Sequence, residues 1–314
     1  MKRLLWAGLA ALIPFQALAQ TPDSTASDAR LATPTGHDVN ISLGTYTYSE
    51  PGDQSISIHG PKVGGEYTGT LSLNKRRLWL LQADVRGTMG NTAYDGWCLP
   101  WQITPNSASP NGYQLDLGDA SPCTESGDSD WYMEARGLVA RDFIGRKWAL
   151  SPFAGLGVRH LSNGTTGVDG FRTDDYLYLP VGTTARTKVA SKSALSFTLE
   201  YDQLLHGWQT TRNSALGGGF VPATATAPAF TIDGFSDVSF DQHSGWALRA
   251  SAKYQLTSRW SVEPSYVHWN VNASPPNDVT ATFTVNQVTV QEQLGFYEPL
   301  NVTNEFAVKV GFHW

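Results

Sequence analysis

Charged side chains and long apolar runs are both scarce in this chain of 314 residues. Asp, Glu, Lys and Arg make up 16% of the sequence, against roughly 25% in typical soluble domains. After the N-terminal stretch, no apolar run reaches the roughly 18 residues that a membrane-spanning helix requires. The composition therefore argues against an ordinary soluble domain and against a helical membrane anchor later in the chain.

Aromatic residues and glycine are plentiful where charge is scarce. The chain holds 11 Trp, 12 Tyr and 30 Gly residues, although its hydrophobic fraction is only 41%. A transmembrane β-barrel requires such a composition, because one face of each strand meets lipid and the other meets a polar lumen. The composition therefore favours a β-barrel that spans a membrane.

The first stretch, MKRLLWAGLAALIPFQALAQ, has the features of a secretory signal peptide. A basic start precedes an apolar run, and small residues stand at Ala17 and Ala19. This pattern predicts a signal peptide over residues 1–19, a short N-terminal segment over 20–36 and a barrel domain over 37–314. A membrane anchor is disfavoured, because a proline and a glutamine interrupt a run that is already too short to span.

The mature chain is acidic. Removal of Lys2 and Arg3 with the signal lowers the basic residues from 22 to 20, against 28 acidic residues, so the net charge becomes −8. Binding to nucleic-acid phosphates requires a basic patch. We therefore expect no nucleic-acid partner.

Alternation of apolar and polar residues predicts ten strands. In SALSFTLEYD, for example, Leu195, Phe197 and Leu199 share one face. The predicted strands span residues 37–50, 63–74, 76–90, 130–143, 147–161, 172–187, 193–207, 244–257, 259–271 and 302–314. The predicted fold class is all-β, an antiparallel up-and-down transmembrane barrel, with a soluble β-sandwich as the alternative.

The connections between these strands alternate in length. Those after strands two, four, six and eight are short and basic, around NKRR, IGRK, TKVASK and LTSR, whereas the others are longer. Outer-membrane barrels have tight periplasmic turns and long extracellular loops, whereas a sandwich has no reason to alternate in this way. The pattern predicts an outer-membrane barrel with both chain ends on the periplasmic side.

The chain ends on the alternating stretch FAVKVGFHW, which places Phe312 and Trp314 on the predicted lipid face. In a barrel the last strand pairs with the first, and a terminal aromatic residue can lie in the interfacial girdle. A final strand that ends in an aromatic residue also resembles the signal that the outer-membrane assembly machinery recognises. We therefore expect outer-membrane lipid and that machinery as partners, with Phe312 and Trp314 as the assembly signal.

Several stretches resemble a widespread, poorly characterised family of bacterial outer-membrane β-barrel proteins. They are DWYMEARGL, SPFAGLGVRHL, DDYLYLPVG, LEYDQLLHGWQ, DQHSGWALRAS and EPLNVTNEFAVKVGFHW. The resemblance runs from about residue 80 to the C-terminus. It implies a barrel in the outer membrane of a Gram-negative bacterium and no established reaction.

A looser likeness is to the omptins, which are ten-stranded outer-membrane endopeptidases. The stretch VNISLGTYTY of this chain resembles their first strand. Omptins carry an Asp-x-Asp pair and an Asp-x-His pair, which implies Asp128 with Asp130 and Asp241 with His243 as candidates here. A histidine oriented by a carboxylate can act as general base on water. This chain departs from the omptin pattern, because its first pair adjoins the following strand and its second pair follows a long loop. The alternative is that all four are solvated loop residues.

The only two cysteines, Cys98 and Cys123, fall in one predicted outer loop of an exported chain. Such a pair predicts a disulfide, which contributes about 3 kcal/mol against the unfolded loop. The seven histidines have no metal-ligand spacing, and we predict neither a metal site nor a cofactor. Asp169, Asp174 and Asp175 are interpreted as solvated turn charges, with a loose contact to a divalent cation as the alternative.

Charges of both signs fall on the predicted lumen face in nearly equal number. The acidic residues are Asp84, Glu134, Glu200, Asp202, Glu263 and Glu305, and the basic ones are Arg86, Arg136, Arg159, Arg186, Arg249, Lys253 and Lys309. In a narrow barrel such charges must pair to offset desolvation, whereas a lumen lined by one sign would indicate an ion-selective pore. We therefore predict a polar plug.

The preferred function is a non-enzymatic outer-membrane barrel that acts in surface binding, display or envelope structure. A narrow porin-like channel and an omptin-like surface endopeptidase are the alternatives. The sequence names no surface ligand.

Overall fold

A computed structural model describes residues 31–314 except 53–54, 75–77, 99, 165–170, 191–192 and 217. The predicted signal peptide, residues 1–19, and positions 20–30 lie outside the described residues. The strands are β1 Gly36–Glu50, β2 Ile56–Ser72, β3 Trp79–Cys98, β4 Trp101–Pro105, β5 Tyr113–Leu117, β6 Ser121–Arg141, β7 Phe143–Ile144, β8 Trp148–Gly164, β9 Phe171–Lys188, β10 Ala194–Arg212, β11 Gly219–Val221, β12 Phe230–Phe235, β13 Val238–Gln242, β14 Gly245–Gln255, β15 Trp260–Val271, β16 Asn277–Val285, β17 Val288–Phe296 and β18 Asn301–His313. A 3₁₀ turn covers Asn213–Leu216, and no helix among the described residues is long and apolar enough to cross a membrane.

Ten long strands form a closed antiparallel barrel. In order around the wall they are β1, β2, β3, β6, β8, β9, β10, β14, β15 and β18, and β18 pairs with β1 to close the ring. Closure leaves no unpaired backbone edge in the wall, which is what the apolar interior of a bilayer demands. The predicted fold class and strand number are confirmed.

The alternation of side chains explains the two faces of the wall. On β1, Val39, Ile41 and Leu43 point outward and are 41–68% exposed, whereas Asn40 points inward and is 4% exposed. Outward-facing tryptophans lie near both ends of the wall. Those near the short turns are Trp79, Trp148, Trp260 and Trp314, and Trp131 and Trp208 lie near the opposite end. This arrangement matches an apolar band bounded by aromatic girdles.

Several strands extend further outward than predicted. β2 begins at Ile56, β3 runs on to Cys98 and β6 begins as early as Ser121. Residues of β3 and β6 stay paired along this extension, for example Asp95 with Thr124. The extensions escaped prediction because they lie beyond the apolar band, where neither face must be apolar and the alternating pattern is lost.

The long outer loops fold together into a separate unit, which we call the head and define as β4, β5, β11, β12, β16 and β17. β4 pairs with β5, and the other four strands form a sheet in the order β11-β12-β16-β17. The buried side chains between them are Ile103, Leu115, Phe230, Ile232, Ala281, Phe283 and Val285. The head therefore has a hydrophobic core outside the barrel, in the region where the sequence predicted long extracellular loops.

Candidate functional site

Arginine side chains cross the middle of the lumen and join opposite walls. Nη2 of Arg249, on β14, donates to Oε2 of Glu134, on β6, at 2.9 Å. Nε of Arg249 also donates to Oδ2 of Asp202 at 2.5 Å and lies 3.2 Å from Oε1 of Glu200. Because β6 and β14 are separated by three strands of the wall, these bonds span the interior.

Arg136 and Arg86 complete this layer, which we call the charge layer. Nη1 of Arg136 donates to Glu200 at 2.5 Å, and its Nη2 donates to Oδ2 of Asp84 at 3.0 Å. Nη2 of Arg86 donates to Oε2 of Glu134 at 3.1 Å. The charge layer thus joins three arginines to four carboxylates, all of them largely buried. Each charge contacts at least one opposite charge, which offsets the cost of removing it from water.

Aromatic and charged side chains fill the lumen on the outer side of the charge layer. The hydroxyl of Tyr132 donates to both carboxylate oxygens of Glu305, at 2.9 and 2.8 Å. Lys62 donates to Asp130, and its ammonium lies 3.5 Å from the centre of the Tyr46 ring. These rings and charged side chains lie in the lumen between the charge layer and its outer end.

Arg159 is bound through aromatic rings instead of carboxylates. Its guanidinium lies 4.4 Å from the centre of the Tyr132 ring and 5.4 Å from that of Trp269. Nε and Nη2 have no hydrogen-bond acceptor among the described residues, although the side chain is almost fully buried. Cation–π contacts of this kind strengthen where water is excluded.

The half of the lumen nearest the short turns is a polar cavity of about 820 Å³ beneath the charge layer. Lys309 donates to Glu66 at 2.7 Å and lies 3.7 Å from Glu263. Lys253 donates to Asp38 at 3.2 Å nearer the mouth. Even here, basic side chains are paired, so the cavity wall has no field of a single sign.

The N-terminal segment enters this mouth. The backbone N–H and the hydroxyl of Thr33 donate to the carboxylate of Asp142 at 2.6 and 2.7 Å. Ser151 also donates to Asp142, and Arg186 lies 3.5 Å from it. Leu31 is fully buried. Asp142 thus fastens the start of the described chain to the barrel.

A second cluster closes the outer end of the lumen. Nη1 of Arg172 donates to Glu50 at 2.8 Å and lies 3.8 Å from Glu298. The hydroxyl of Tyr48 donates to both carboxylates, at 3.0 and 3.2 Å. The pKa of Glu298 is raised to about 8. Burial is the main cause, Arg172 acts in the opposite direction, and the carboxylate of Asp174 raises the pKa further. One arginine is therefore shared among several buried carboxyl groups.

All thirteen residues of the predicted lumen set direct their side chains inward, and most meet a partner from the same set. The set omitted other interior charges, namely Asp38, Glu50, Glu66, Lys62, Asp130, Asp142, Arg172, Asp174 and Glu298. The interpretation of Asp174 as a solvated turn charge is wrong, because its side chain is buried inside the extended wall, and Asp169 lies outside the described residues. Most of the omitted residues lie outside or at the ends of the predicted strands, where a facing could not be assigned.

The four residues implied by the omptin likeness do not form one site. Asp128 and Asp130 are buried in the interior, and Asp130 is bound to Lys62. Asp241 lies on the outside of the wall, where it pairs in register with Trp208 and lies 3.2 Å from Nε2 of His206. The ring of His243 lies 5.1 Å from that of His206, tilted by 51°, on that same outer surface. The wall thus separates the acidic pair from the candidate base.

The predicted disulfide between Cys98 and Cys123 is confirmed, with Cα atoms 5.7 Å apart. It joins the outer ends of β3 and β6 at the base of the β4–β5 hairpin. Within the part of the chain that the structure describes, no group of three or more His, Cys, Asp or Glu residues could hold a metal ion.

No protein-family model matches the chain, and no curated protein matches it. The solved outer membrane protease OmpT from Escherichia coli is similar with a TM-score of 0.51 and 11% identity, over 90% of this chain and 98% of OmpT. The chain has the fold of an outer-membrane β-barrel protein. At this identity the likeness concerns the fold alone.

Two weaker likenesses are to other outer-membrane proteins. The translocator domain of autotransporter NalP from Neisseria meningitidis has a TM-score of 0.35 at 9% identity, with 92% of each chain covered. The attachment invasion locus protein Ail of Yersinia pestis has a TM-score of 0.26 at 9% identity, with 90% of this chain and all of Ail covered. These scores are too low to support a conclusion about function.

Proposed function

We propose that this protein is a closed outer-membrane barrel of a Gram-negative bacterium that presents its head at the cell surface for binding another molecule. Residues 1–19 export it, and the assembly machinery inserts it through the strand that ends at Phe312 and Trp314. The observation that carries the proposal is the hydrophobic core of the head. Loops that only connect strands have no need of such a core.

The head is ordered by several independent devices. Phe283 and Val285 are fully buried in its core, the disulfide braces its base, and the backbone N–H of Leu115 donates to Glu292 across two sheets at 2.8 Å. Rigid presentation lowers the entropy that a surface loses when a partner binds. These features support recognition at the surface as the role of the head.

The blocked lumen supports binding over transport. Bonds from Arg249 to Glu134 and from Arg136 to Glu200 cross the interior at the charge layer, where they would obstruct a pore. The runner-up, a narrow channel, is favoured by the cavity of about 820 Å³ on the periplasmic side. That cavity would become a pore only if the charge layer opened.

A cell-attachment experiment tests the proposal. Cells that display the wild-type chain are compared with cells that display Phe283→Ala, which removes a fully buried ring from the head, on a panel of immobilised polypeptides and glycans. The control is Phe197→Ala, because Phe197 faces lipid. We expect the wild type and the control to attach to at least one surface and Phe283→Ala to lose that attachment.

Two results would contradict the proposal. Cells with and without the protein could attach equally to every surface, which would remove the binding role. Large, steady conductance of the wild type in a planar bilayer would instead make the channel the better function.

A further inference from the structure

The outer edge of β17 is an unpaired strand edge on the head. β17 pairs with β16 from Val285↔Val288 to Asn277↔Phe296, and no other strand among the described residues pairs with it. The two strands are joined by Asn286 and Gln287, whose φ angles of 48° and 69° are those of a tight two-residue hairpin turn. In such a hairpin the residues that flank the turn form a hydrogen-bonded pair.

The register decides which backbone groups are free. Because Val288 bonds to β16, the N–H and C=O groups of every second residue after it also point to β16. The groups of Thr289, Gln291, Gln293 and Gly295 therefore point away from the sheet, and these four residues are exposed. No backbone hydrogen bond to them comes from elsewhere in the described part of the chain.

This edge lacks most of the devices that usually prevent pairing, and its one charged side chain, Glu292, is engaged by the backbone of Leu115. Natural edges are shortened or carry Pro, Lys or a bulge, but VTVQEQLGF has no Pro, no Lys and a regular register. At the other side of the same sheet, the edge strand β11 has only three residues. β17 is thus a nine-residue template for another strand.

The charged residues of the loops around β17 are all acidic. The three loops that build the head, residues 91–129, 213–245 and 272–300, contain no Lys or Arg. Their acidic residues are Asp95, Asp116, Asp119, Glu125, Asp128, Asp233, Asp237, Asp241, Asp278, Glu292 and Glu298. Most of the aspartates are exposed, so the head attracts cationic chains and repels acidic ones.

We propose that the edge of β17 binds an extended, lysine- or arginine-rich segment of another polypeptide by adding it as a further strand to the sheet of the head. This inference rests on the proposed binding function. Backbone hydrogen bonds to Thr289, Gln291 and Gln293 supply affinity for any extended chain. The acidic head selects the basic ones.

The test uses the full chain refolded in detergent and two labelled synthetic peptides, one alternating lysine with valine and one alternating glutamate with valine. Gln291→Pro removes an N–H group that points to the partner and leaves the bonds to β16 in place. Gln291→Ala is the matched control, because it keeps that N–H. Fluorescence anisotropy measures binding, and resistance of the head to protease shows that each variant is folded.

We expect the lysine peptide to bind and the glutamate peptide not to bind. Gln291→Pro should weaken binding about tenfold, the loss of one to two hydrogen bonds, and Gln291→Ala should bind like the wild type. A version of the lysine peptide with methylated backbone nitrogens should bind the wild type as weakly as the unmodified lysine peptide binds Gln291→Pro.

Three outcomes would overturn the inference. Binding of the lysine peptide that Gln291→Pro leaves unchanged would place the partner elsewhere on the head, and the proposed function would stand. Failure of both peptides to bind, while cells still attach through the head, would remove the strand-addition site alone. A dimer of the wild type that Gln291→Pro dissociates would show that a second copy of this chain occupies the edge.

Discussion

Individual buried charges define the interior of this barrel. Arg249 contacts Glu134, Glu200 and Asp202, so one guanidinium satisfies carboxylates from two other strands. The planar guanidinium with its five donors suits this task better than a lysine ammonium. Removal of one member would leave buried charges without a partner, which costs more than the pair contributes.

Arg249→Ala tests the charge layer. We expect it to lower the free energy of unfolding by about 3–5 kcal/mol, because Asp202 loses the arginine that binds it and Glu134 keeps only Arg86 and Arg136, and to admit ions in planar bilayers. Arg259→Ala is the control, since Arg259 is exposed on the turn that joins β14 to β15. If Arg249→Ala matched the control in both unfolding and conductance, the layer would not block the lumen.

Glu298 gives the outer cluster a defined pH dependence. Its pKa is about 8 in the folded chain, above the ordinary value of about 4.3. The folded state therefore holds a proton that the unfolded state releases, and stability falls as pH rises from about 4.5 to about 8. We expect Glu298→Gln to differ little from the wild type at pH 4 and to be more stable at pH 9, by up to about 5 kcal/mol, because each pH unit between about 4.3 and about 8 costs the wild type about 1.4 kcal/mol.

Thermal unfolding at both pH values measures this effect. Asp278→Asn is the control, because Asp278 is exposed on the head and lies outside the cluster around Arg172. A wild-type unfolding curve that does not change between pH 4 and pH 9 would contradict the assignment.

At the scale of elements, strands that leave the bilayer continue as supports for the head. β3 and β6 remain paired from the lipid band out to Cys98 and Ser121, and the disulfide lies at that outer limit. A cross-link there restricts the β4–β5 loop and leaves the barrel wall unaffected. The head and the wall should therefore respond separately to loss of the disulfide.

Replacement of Cys98 and Cys123 by Ser should destabilise the head by about 3 kcal/mol. We expect faster proteolysis within residues 100–122 on intact cells, with the barrel still resistant to heating in detergent. Unaltered proteolysis would mean that the core of the head alone holds this loop in place.

The last strand is the element on which closure depends. β18 pairs with β1 from Val302↔Ser49 to His313↔Asp38, and Trp314 bonds to the backbone of His37. Deletion of Phe312 to Trp314 should reduce inserted barrel several-fold and leave degraded chain in the periplasm. Phe306→Ala, which keeps the terminus, serves as the control in fractionated membranes. A normal amount of inserted barrel after the deletion would remove the role of these residues as an assembly signal.

At the scale of the whole molecule, charge is sorted along the barrel axis. The head loops hold no Lys or Arg, whereas the short turns at the other end are basic around Arg146, Lys188 and Arg259. Paired charges of both signs fill the space between them. This polarity gives a direct test of orientation.

Trypsin cleaves after Lys and Arg, so the two ends of the barrel should differ in sensitivity. On intact cells we expect cleavage only at Arg212, the exposed arginine at the outer end of β10. After the outer membrane is permeabilised, Arg146 and Arg259 should also be cut. Cleavage at either of these turns in intact cells would invert the orientation.

The sequence by itself determined the barrel. In a barrel wall, every second side chain of a strand faces lipid and must be apolar. The apolar residues Leu195, Phe197 and Leu199 therefore indicate both that the segment is a strand and which of its side chains face outward. The closing strand, the ten-strand count and the inward facing of residues such as Glu134 and Arg249 all depend on this local pattern. A period of two can be read without knowledge of any neighbouring strand.

The tertiary structure decided which residues that are distant in the sequence contact one another, because a local pattern contains no information about such contacts. Arg249 binds Glu134 although 115 positions separate them in the sequence. Asp130 on β6 likewise binds Lys62 on β2 inside the lumen. Both contacts form because strand register brings distant residues to the same level of the barrel. The core of the head unites Ile103, Phe230 and Phe283 from three separate loops. Each loop alone is too short to bury an apolar face, so only their packing against one another reveals the head and the free edge of β17.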